Sequence, residues 1–272
     1  MKSGDCFRHV EWCWHMIIEL FGPPGAGKTT FAHALAARLR ERGHVAELVL
    51  SYRSAERLRC LDPCVAVPRP HQTAAVVHRL TRPVVEMLTL ARHPFVNSHD
   101  VSTAVNLIRI LPPRNLVWSI RLSQYISRLS HSWYQASAAG HIVLFDQAYV
   151  QAVCSLAVVG RAADETVLAR ALNVTPKSDL LIRLDAPRDV LKARLYERHR
   201  LQGAIERLFE LDLKRNLESI QIIDRLHDLL RRSGQPVTCA SSLDQRSLRE
   251  SVEKIEQQLL MKFPTQRTGT AS

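Results

Sequence analysis

Residues 17–30 read IIELFGPPGAGKTT and fit the pattern G-x-x-x-x-G-K-[ST]. The apolar run 17–21 predicts a buried strand before the glycines, and residues 30–39 predict a helix after them because their apolar positions recur at helical spacing. In this context the glycines let backbone amides approach a polyphosphate, the lysine reaches the terminal phosphates and the next threonine can ligate Mg²⁺. We therefore predict a loop that binds a nucleoside triphosphate. Its residues are Gly22, Pro23, Pro24, Gly25, Ala26, Gly27, Lys28, Thr29 and Thr30.

The composition is that of a globular α/β protein, since 46% of the 272 residues are hydrophobic and 23% are charged. The net charge of +11 favours anionic partners, which nucleotide phosphates satisfy. Nucleic acid is not an expected partner, because the sequence contains no nucleic-acid recognition motif. No apolar run reaches 18 residues, so we expect no membrane partner. The six cysteines include no C-x-x-C pair, which favours free thiols in a cytoplasmic protein.

The remaining chain continues the alternation of strands and helices. Apolar runs predict four further strands at 45–50, 141–145, 179–184 and 236–240, and helical periodicity predicts helices at 29–42, 204–232 and 244–261. Residues 53–135 have helical periodicity broken by prolines, which predicts a helical insertion between the second and third strands. We assign residues 1–15 to a disordered N-terminal extension, 16–262 to one folded domain and 263–272 to a polar tail.

Carboxylates follow two of the predicted strands directly. Ligands of parallel α/β sheets bind at the carboxyl ends of the strands, where Asp146 and Asp185 lie. Asp146 is therefore a candidate to face a metal ion or activate a phosphate acceptor, and capping of a helix is the alternative. Asp185 precedes Ala186-Pro187, so capping is an equal alternative there.

Two arginines after the fourth strand form a second candidate group. Arg194 and Arg198 are four residues apart and therefore share one face of a predicted helix. Guanidinium groups near a triphosphate can neutralise the charge that develops on a transferred phosphoryl group. The alternative is a solvated helix surface, whose ion pairs contribute little.

Four segments resemble, in this order, the thymidylate kinase-like group of P-loop nucleoside and nucleotide kinases. They are the phosphate loop, residues 139–147, residues 184–198 and residues 237–255. The resemblance covers about 16–52 and 136–260. It implies a five-stranded parallel sheet in the order 2-3-1-4-5 with helices on both faces, and residues 240–243 beside the adenine. It also implies that the helix with Arg194 leads into a lid at about 194–207.

Two positions depart from the pattern of this group. Gln147 follows the third-strand aspartate where members usually have an arginine, and Pro24 occupies the loop position where thymidylate kinases tend to have an acidic residue. The phosphate acceptor therefore stays open between a nucleotide, a nucleoside and another small hydroxyl compound. We assign 53–135 to acceptor binding, since this segment is long and lies between the strands that flank the site.

These observations indicate an ATP- and Mg²⁺-dependent phosphotransferase that moves the γ-phosphate to a small-molecule acceptor. The expected catalytic residues are Lys28, Asp146, Arg194 and Arg198, and the expected metal ligands are Thr29 and Asp146. Two alternatives stay open: an ATPase or GTPase switch acting on a protein partner, and a nucleotide-binding scaffold without turnover. A homodimer is compatible with the sequence, which does not determine the oligomeric state.

Overall fold

The computed structural model describes residues 15–51, 98–162, 164–201 and 213–262, which form a parallel β-sheet between two layers of helices. All the strand pairings are parallel, and the strand order is β2-β3-β1-β4-β5. This is the P-loop α/β fold that the sequence predicts, and the predicted order 2-3-1-4-5 is confirmed. The strands are β1 (Met16–Phe21), β2 (Ala46–Val49), β3 (Ile142–Phe145), β4 (Leu180–Asp185) and β5 (Val237–Ser241).

Eight helices lie within the described ranges. The predicted helical insertion between the second and third strands is confirmed in its described part, which contains α2 and α3. None of the eight helices is both long and apolar enough to cross a membrane. The helices are α1 (Lys28–Glu41), α2 (Ser98–Ile110), α3 (Leu116–Ala138), α4 (Tyr149–Gly160), α5 (Glu165–Asn173), α6 (Arg188–Leu201), α7 (Leu213–Arg232) and α8 (Gln245–Lys262).

The central strand β1 is buried on both faces, as parallel strands between helical layers are. All six of its residues are buried. Ile17 and Phe21 belong to the core formed with α2, α3, α4, α5 and α7, whereas Ile18 and Leu20 belong to the core beneath α1 and α8. The continuous apolar run before the phosphate loop thus reflects a strand that contacts two cores.

The sequence predicted the strand boundaries to within one residue. The predicted strand 45–50 is observed as Ala46–Val49, and the predicted strand 179–184 is observed as Leu180–Asp185. The helix predicted at 204–232 is described from Leu213 onward. Predictions about residues 1–14, 52–97, 202–212 and 263–272 lie outside the described residues.

One charged residue interrupts the apolar side chains of β1. Glu19 is 1% exposed, and its Oε1 accepts a 2.7 Å hydrogen bond from the Val150 amide in the first turn of α4. The N-cap residue of this helix is Ala148, which has no side chain able to cap, so Glu19 acts as the cap from a neighbouring strand. Burial raises the pKa of Glu19 to about 8, although the amides of Val150 and Gln151 oppose the shift.

Glu19 should make the stability of the fold depend on pH. Its pKa of about 8 lies above the ordinary value of 4.5, so between these pH values the folded state holds a proton that the unfolded state has released. Stability should therefore fall as pH rises from 5 to 8. Glu19→Gln cannot ionise, so its Tm relative to the wild type should increase over this range.

Thermal unfolding of both proteins between pH 5 and 9 measures this difference. Glu253→Gln is the matched control, because Glu253 is exposed on α8. A Tm difference between Glu19→Gln and the wild type that stays constant with pH would contradict the buried, protonated carboxyl group.

Candidate functional site

The phosphate loop joins the carboxyl end of β1 to the first turn of α1. Its last glycine, Gly27, is the N-cap residue of α1 and has a φ of 88°, in the left-handed region that favours glycine. Gly27 has no side chain to cap the helix, and the first turn contains no acidic residue. The positive end of α1 and its first amides are therefore presented to an anion, as in helix N-termini that bind phosphate.

Two glycines of the loop are required by close approaches to other strands. A Cβ at Gly22 would collide with the backbone carbonyl of Leu184 on β4. A Cβ at Gly27 would collide with the hydroxyl of Ser242, directly after β5. The same hydroxyl donates a hydrogen bond of 3.1 Å to the Ala26 carbonyl. The loop is thus packed against the ends of two neighbouring strands, which fixes its shape before any ligand binds.

Lys28 lies within the curve of the loop. Its Nζ donates to the carbonyl of Gly22 at 2.8 Å and to that of Pro23 at 3.0 Å, and the residue is 7% exposed. A buried ammonium group needs such acceptors, because an uncompensated charge would be costly to remove from water. The positive charge of Lys28 is therefore held inside the curve of the loop by two backbone carbonyls.

Asp146 connects the loop to the second and third strands. It is 1% exposed, and its Oδ2 accepts a 3.1 Å hydrogen bond from the hydroxyl of Thr29. Its Oδ1 accepts a 2.6 Å hydrogen bond from the Ser51 amide, two residues after β2 ends. Burial raises the pKa of Asp146 above its ordinary value, while the Ser51 amide and the Thr29 hydroxyl oppose the shift.

This geometry separates the two roles that the sequence left open for Asp146. The N-cap position of α4 is occupied by Ala148, so Asp146 is not the cap of that helix. Its carboxylate is hydrogen-bonded to the hydroxyl of Thr29 instead, and the role of the two residues as metal ligands stays a prediction.

Arg194 links the phosphate loop to the segment after β5. Its Nη1 donates to the Gly25 carbonyl at 2.9 Å, and its Nη2 donates to the Leu243 carbonyl at 2.9 Å. Arg194 therefore lies beside the loop with its guanidinium group engaged by two backbone carbonyls, and its catalytic role stays a prediction. Arg198 lies one turn later on α6, and its catalytic role stays a prediction.

The hydrogen bonds of Asp185 are made with residues other than Thr29, Asp146 and Arg194. Its Oδ1 accepts from the Ala186 amide at 2.9 Å, and its Oδ2 accepts from the guanidinium of Arg183 at 3.4 Å. Arg183 in turn donates to Asp224 on α7 at 2.6 Å. Asp185 thus belongs to an ion-pair group between β4 and α7, separate from the pair of Thr29 and Asp146.

The sequence did not identify Ser51, and it included Ser242 only within residues 240–243, which the resemblance implies lie beside the adenine. Ser51 follows the predicted strand 45–50, so the rule that selected Asp146 could have selected it as well. The contact of Ser242 with Ala26 had no signal in the sequence, because it spans more than 200 positions in the chain. Only the packing of the β5 end against the loop reveals this contact.

Comparison with known proteins gives matches among solved structures alone, since no family model and no curated protein matches the sequence. A deoxyadenosine kinase from M. mycoides with the products dCMP and a flexible dCDP is 14% identical over 90% of this chain and 100% of that one, with a TM-score of 0.46. The same kinase with bound dATP is 14% identical over 90% and 99%, with a TM-score of 0.47. A thymidylate kinase from Ehrlichia chaffeensis is 14% identical over 91% and 100%, with a TM-score of 0.42. Both enzymes are kinases, as are the members of the group that the four sequence segments resemble.

The bridge made by Arg194 should contribute to stability. Arg194→Ala removes two hydrogen bonds from a charged donor, so the free energy of unfolding should fall by about 1–2 kcal/mol. Arg194→Lys should restore only part of this loss, because a single ammonium group cannot reproduce the planar fork that reaches both carbonyls. Thermal or urea unfolding measures the effect.

Lys192→Ala is the matched control, because Lys192 is exposed on the same helix. If Arg194→Ala unfolds at the same urea concentration as this control, the bridge contributes nothing to the fold.

Proposed function

We propose that this protein is an ATP- and Mg²⁺-dependent phosphotransferase acting on a small-molecule acceptor. The observation that carries the proposal is the 3.1 Å hydrogen bond between the Thr29 hydroxyl and the Asp146 carboxylate, next to the buried ammonium group of Lys28. A structural loop would not need a buried cation and a buried carboxylate at the carboxyl edge of a parallel sheet. Phosphoryl transfer from a nucleoside triphosphate needs both.

The side chains present fit Mg-ATP. The amides at the start of α1 and the Lys28 ammonium group suit the β- and γ-phosphates, since both are donors directed at one anionic position. Thr29 and Asp146 supply two hard oxygen ligands, which is the small number that Mg²⁺ takes from a protein when phosphates and water provide the rest. When bound there, Mg²⁺ would neutralise charge on the phosphate oxygens.

The residues of the chain then have separate roles. Lys28 exchanges its two backbone carbonyls for phosphate oxygens, so binding the ligand does not leave its charge unpaired. Ser51 holds one oxygen of Asp146 through a 2.6 Å hydrogen bond and leaves the other directed at Thr29. Arg194 fixes the Gly25 end of the loop, and with Arg198 it begins the proposed lid at about 194–207.

The acceptor is assigned to the side of the sheet that carries α3 and α4. Helix α3 lies at the end of the proposed acceptor segment and α4 follows the Asp146 strand end, and the two helices are joined by a 2.9 Å hydrogen bond between Ser130 and Tyr149. Trp133 stacks on Phe145 with a centroid distance of 5.2 Å, which extends this contact to β3. A rigid wall beside Asp146 suits the recognition of a small hydroxyl compound, and Gln147 replaces the arginine that would favour a nucleotide phosphate.

A screen of acceptors with Mg-ATP tests the proposal. ADP formation should depend on one compound among deoxynucleosides, nucleotides and other small hydroxyl compounds, and the phosphorylated product should be detectable by mass spectrometry. Phosphate release without any acceptor would favour a switch ATPase, and a GTP preference would favour a GTPase. Tight ATP binding without turnover across the panel would favour a nucleotide-binding scaffold.

Asp146→Asn should lower kcat at least about 100-fold, on the scale of about 1.4 kcal/mol for each factor of ten. The amide keeps the size of the side chain, but it loses the negative charge that a metal ion or an acceptor hydroxyl requires. Steady-state kinetics with the acceptor found in the screen measure the effect. Asp189→Asn on α6 is the control, because Asp189 is exposed. A variant that keeps its rate and loses thermal stability would show that Asp146 only supports the fold.

Lys28→Ala should abolish turnover and weaken the binding of Mg-ATP at least about tenfold, which is about 1.4 kcal/mol. Removal of the ammonium group leaves the loop amides in place but deletes the charge that faces the terminal phosphates. Calorimetric titration with Mg-ATP measures the affinity, and Lys254→Ala on the exposed face of α8 controls for a general loss of positive charge. Wild-type affinity and turnover in Lys28→Ala would exclude the phosphate-loop function.

A further inference from the structure

The edge strand β5 presents a cysteine to solvent. Among the residues that the structure describes, β5 has a neighbouring strand on one side only, and Cys239 is an exposed free thiol at its centre. Cys239 pairs in register with Arg183 of β4, so both residues lie on the same face of the sheet. Helix α7 covers this face, which brings its side chains close to an accessible thiol.

His227 of α7 contacts this thiol. Its Nε2 lies 3.8 Å from the Cys239 Sγ, within hydrogen-bonding distance for sulfur, and the residue is 8% exposed. On the other side of the ring, Nδ1 lies 3.6 Å from the Asp228 carboxylate. Cys239, His227 and Asp228 thus follow one another as nucleophile, base and carboxylate. Groups in this order can activate a thiol.

The surroundings keep the imidazole available as a base. Burial lowers the pKa of His227 below its ordinary value, and the positive charges of Arg183 and Arg231 lower it further, while Asp228 and Asp185 oppose the shift. A neutral imidazole at pH 7 can accept a proton, whereas an imidazolium cannot.

We propose that Cys239 is a modification site whose thiol is activated by His227 for reaction with low-molecular-weight disulfides. The site is independent of the proposed phosphotransfer, because neither residue contacts the phosphate loop in the described part of the chain. The reaction class is thiol–disulfide exchange, and the product is a mixed disulfide on the surface of β5.

The step balances without any further oxidant. The imidazole Nε2 takes the proton of the thiol, and the sulfur anion attacks one sulfur of the disulfide. A new S–S bond forms as the old one breaks, and the leaving thiolate takes the proton from the imidazolium. The two electrons that leave the protein thiol reduce the other half of the disulfide to a free thiol.

Cys154 provides an internal comparison in the same chain. It is 1% exposed, its Sγ donates a 3.8 Å hydrogen bond to the Ser219 carbonyl, and burial raises its pKa to about 12. A thiol with this environment is inert in the folded protein, because the thiolate is the reactive form. If Cys154 is labelled as fast as Cys239, the protein has therefore unfolded during the experiment.

The test is the rate at which oxidised glutathione forms a mixed disulfide at Cys239, followed by peptide mass spectrometry between pH 6 and 9. An unassisted thiol has a pKa near 8.5, so its rate rises nearly tenfold from pH 6.5 to 7.5. In the wild type the rate at Cys239 should change less than about twofold over this interval, because the imidazole is neutral throughout it and takes the thiol proton as the disulfide is attacked. Cys239→Ser should eliminate the adduct.

His227→Gln should react at least about tenfold more slowly at pH 6.5 and should recover the steep pH dependence of an ordinary thiol. His33→Gln is the control, because His33 is exposed on α1. Equal rates at pH 6.5 in His227→Gln and the wild type would overturn the proposal. If His227→Gln does not fold, a steep wild-type profile from pH 6.5 to 7.5 would overturn it as well, and a flat one would support it.

Discussion

The arrangement of the site depends on the hydrogen bonds that the Asp146 carboxylate accepts. This carboxylate joins three elements that are distant in sequence, because it lies at the end of β3 and accepts hydrogen bonds from Thr29 in α1 and from Ser51 after β2. A buried carboxylate is stable only where such donors replace water. The contacts that satisfy its charge therefore also fix the distance between the phosphate loop and the neighbouring strand ends.

The phosphate loop is shaped from its other side by packing. Gly22 approaches the Leu184 carbonyl on β4, and Gly27 approaches Ser242 after β5. Arg194 then bridges the loop and the segment after β5 with two hydrogen bonds of 2.9 Å. Because the strands that provide these contacts are held by their own hydrogen bonds, the shape of the loop is fixed without a ligand, which would lower the cost of binding the proposed anion.

Buried ionisable groups are concentrated near this edge of the sheet. Glu19 caps α4 directly after the Asp146 segment, and Lys28 is satisfied by loop carbonyls. Removing each of these groups from water costs free energy. If the core were their only role, apolar residues of similar size would pack there without this cost. The positioning of a functional segment would account for the burial of Glu19 and Lys28. At the far edge, His227 and Cys239 form a separate pair, in which the Cys239 thiol is accessible because β5 is an edge strand of the described sheet.

The sequence by itself determined the five strands, the phosphate loop and the position of Asp146, because apolar runs and a glycine-rich motif are local signals that depend on few neighbours. The strand order was implied only by the resemblance to the thymidylate kinase-like group, since apolar runs do not encode which strands pair. The tertiary structure decided which side chains meet. The capping of α4 by Glu19, the contact of Ser242 with the loop and the engagement of Arg194 by two carbonyls all join residues far apart in the chain. Such contacts depend on the register and packing of strands, which no local pattern encodes.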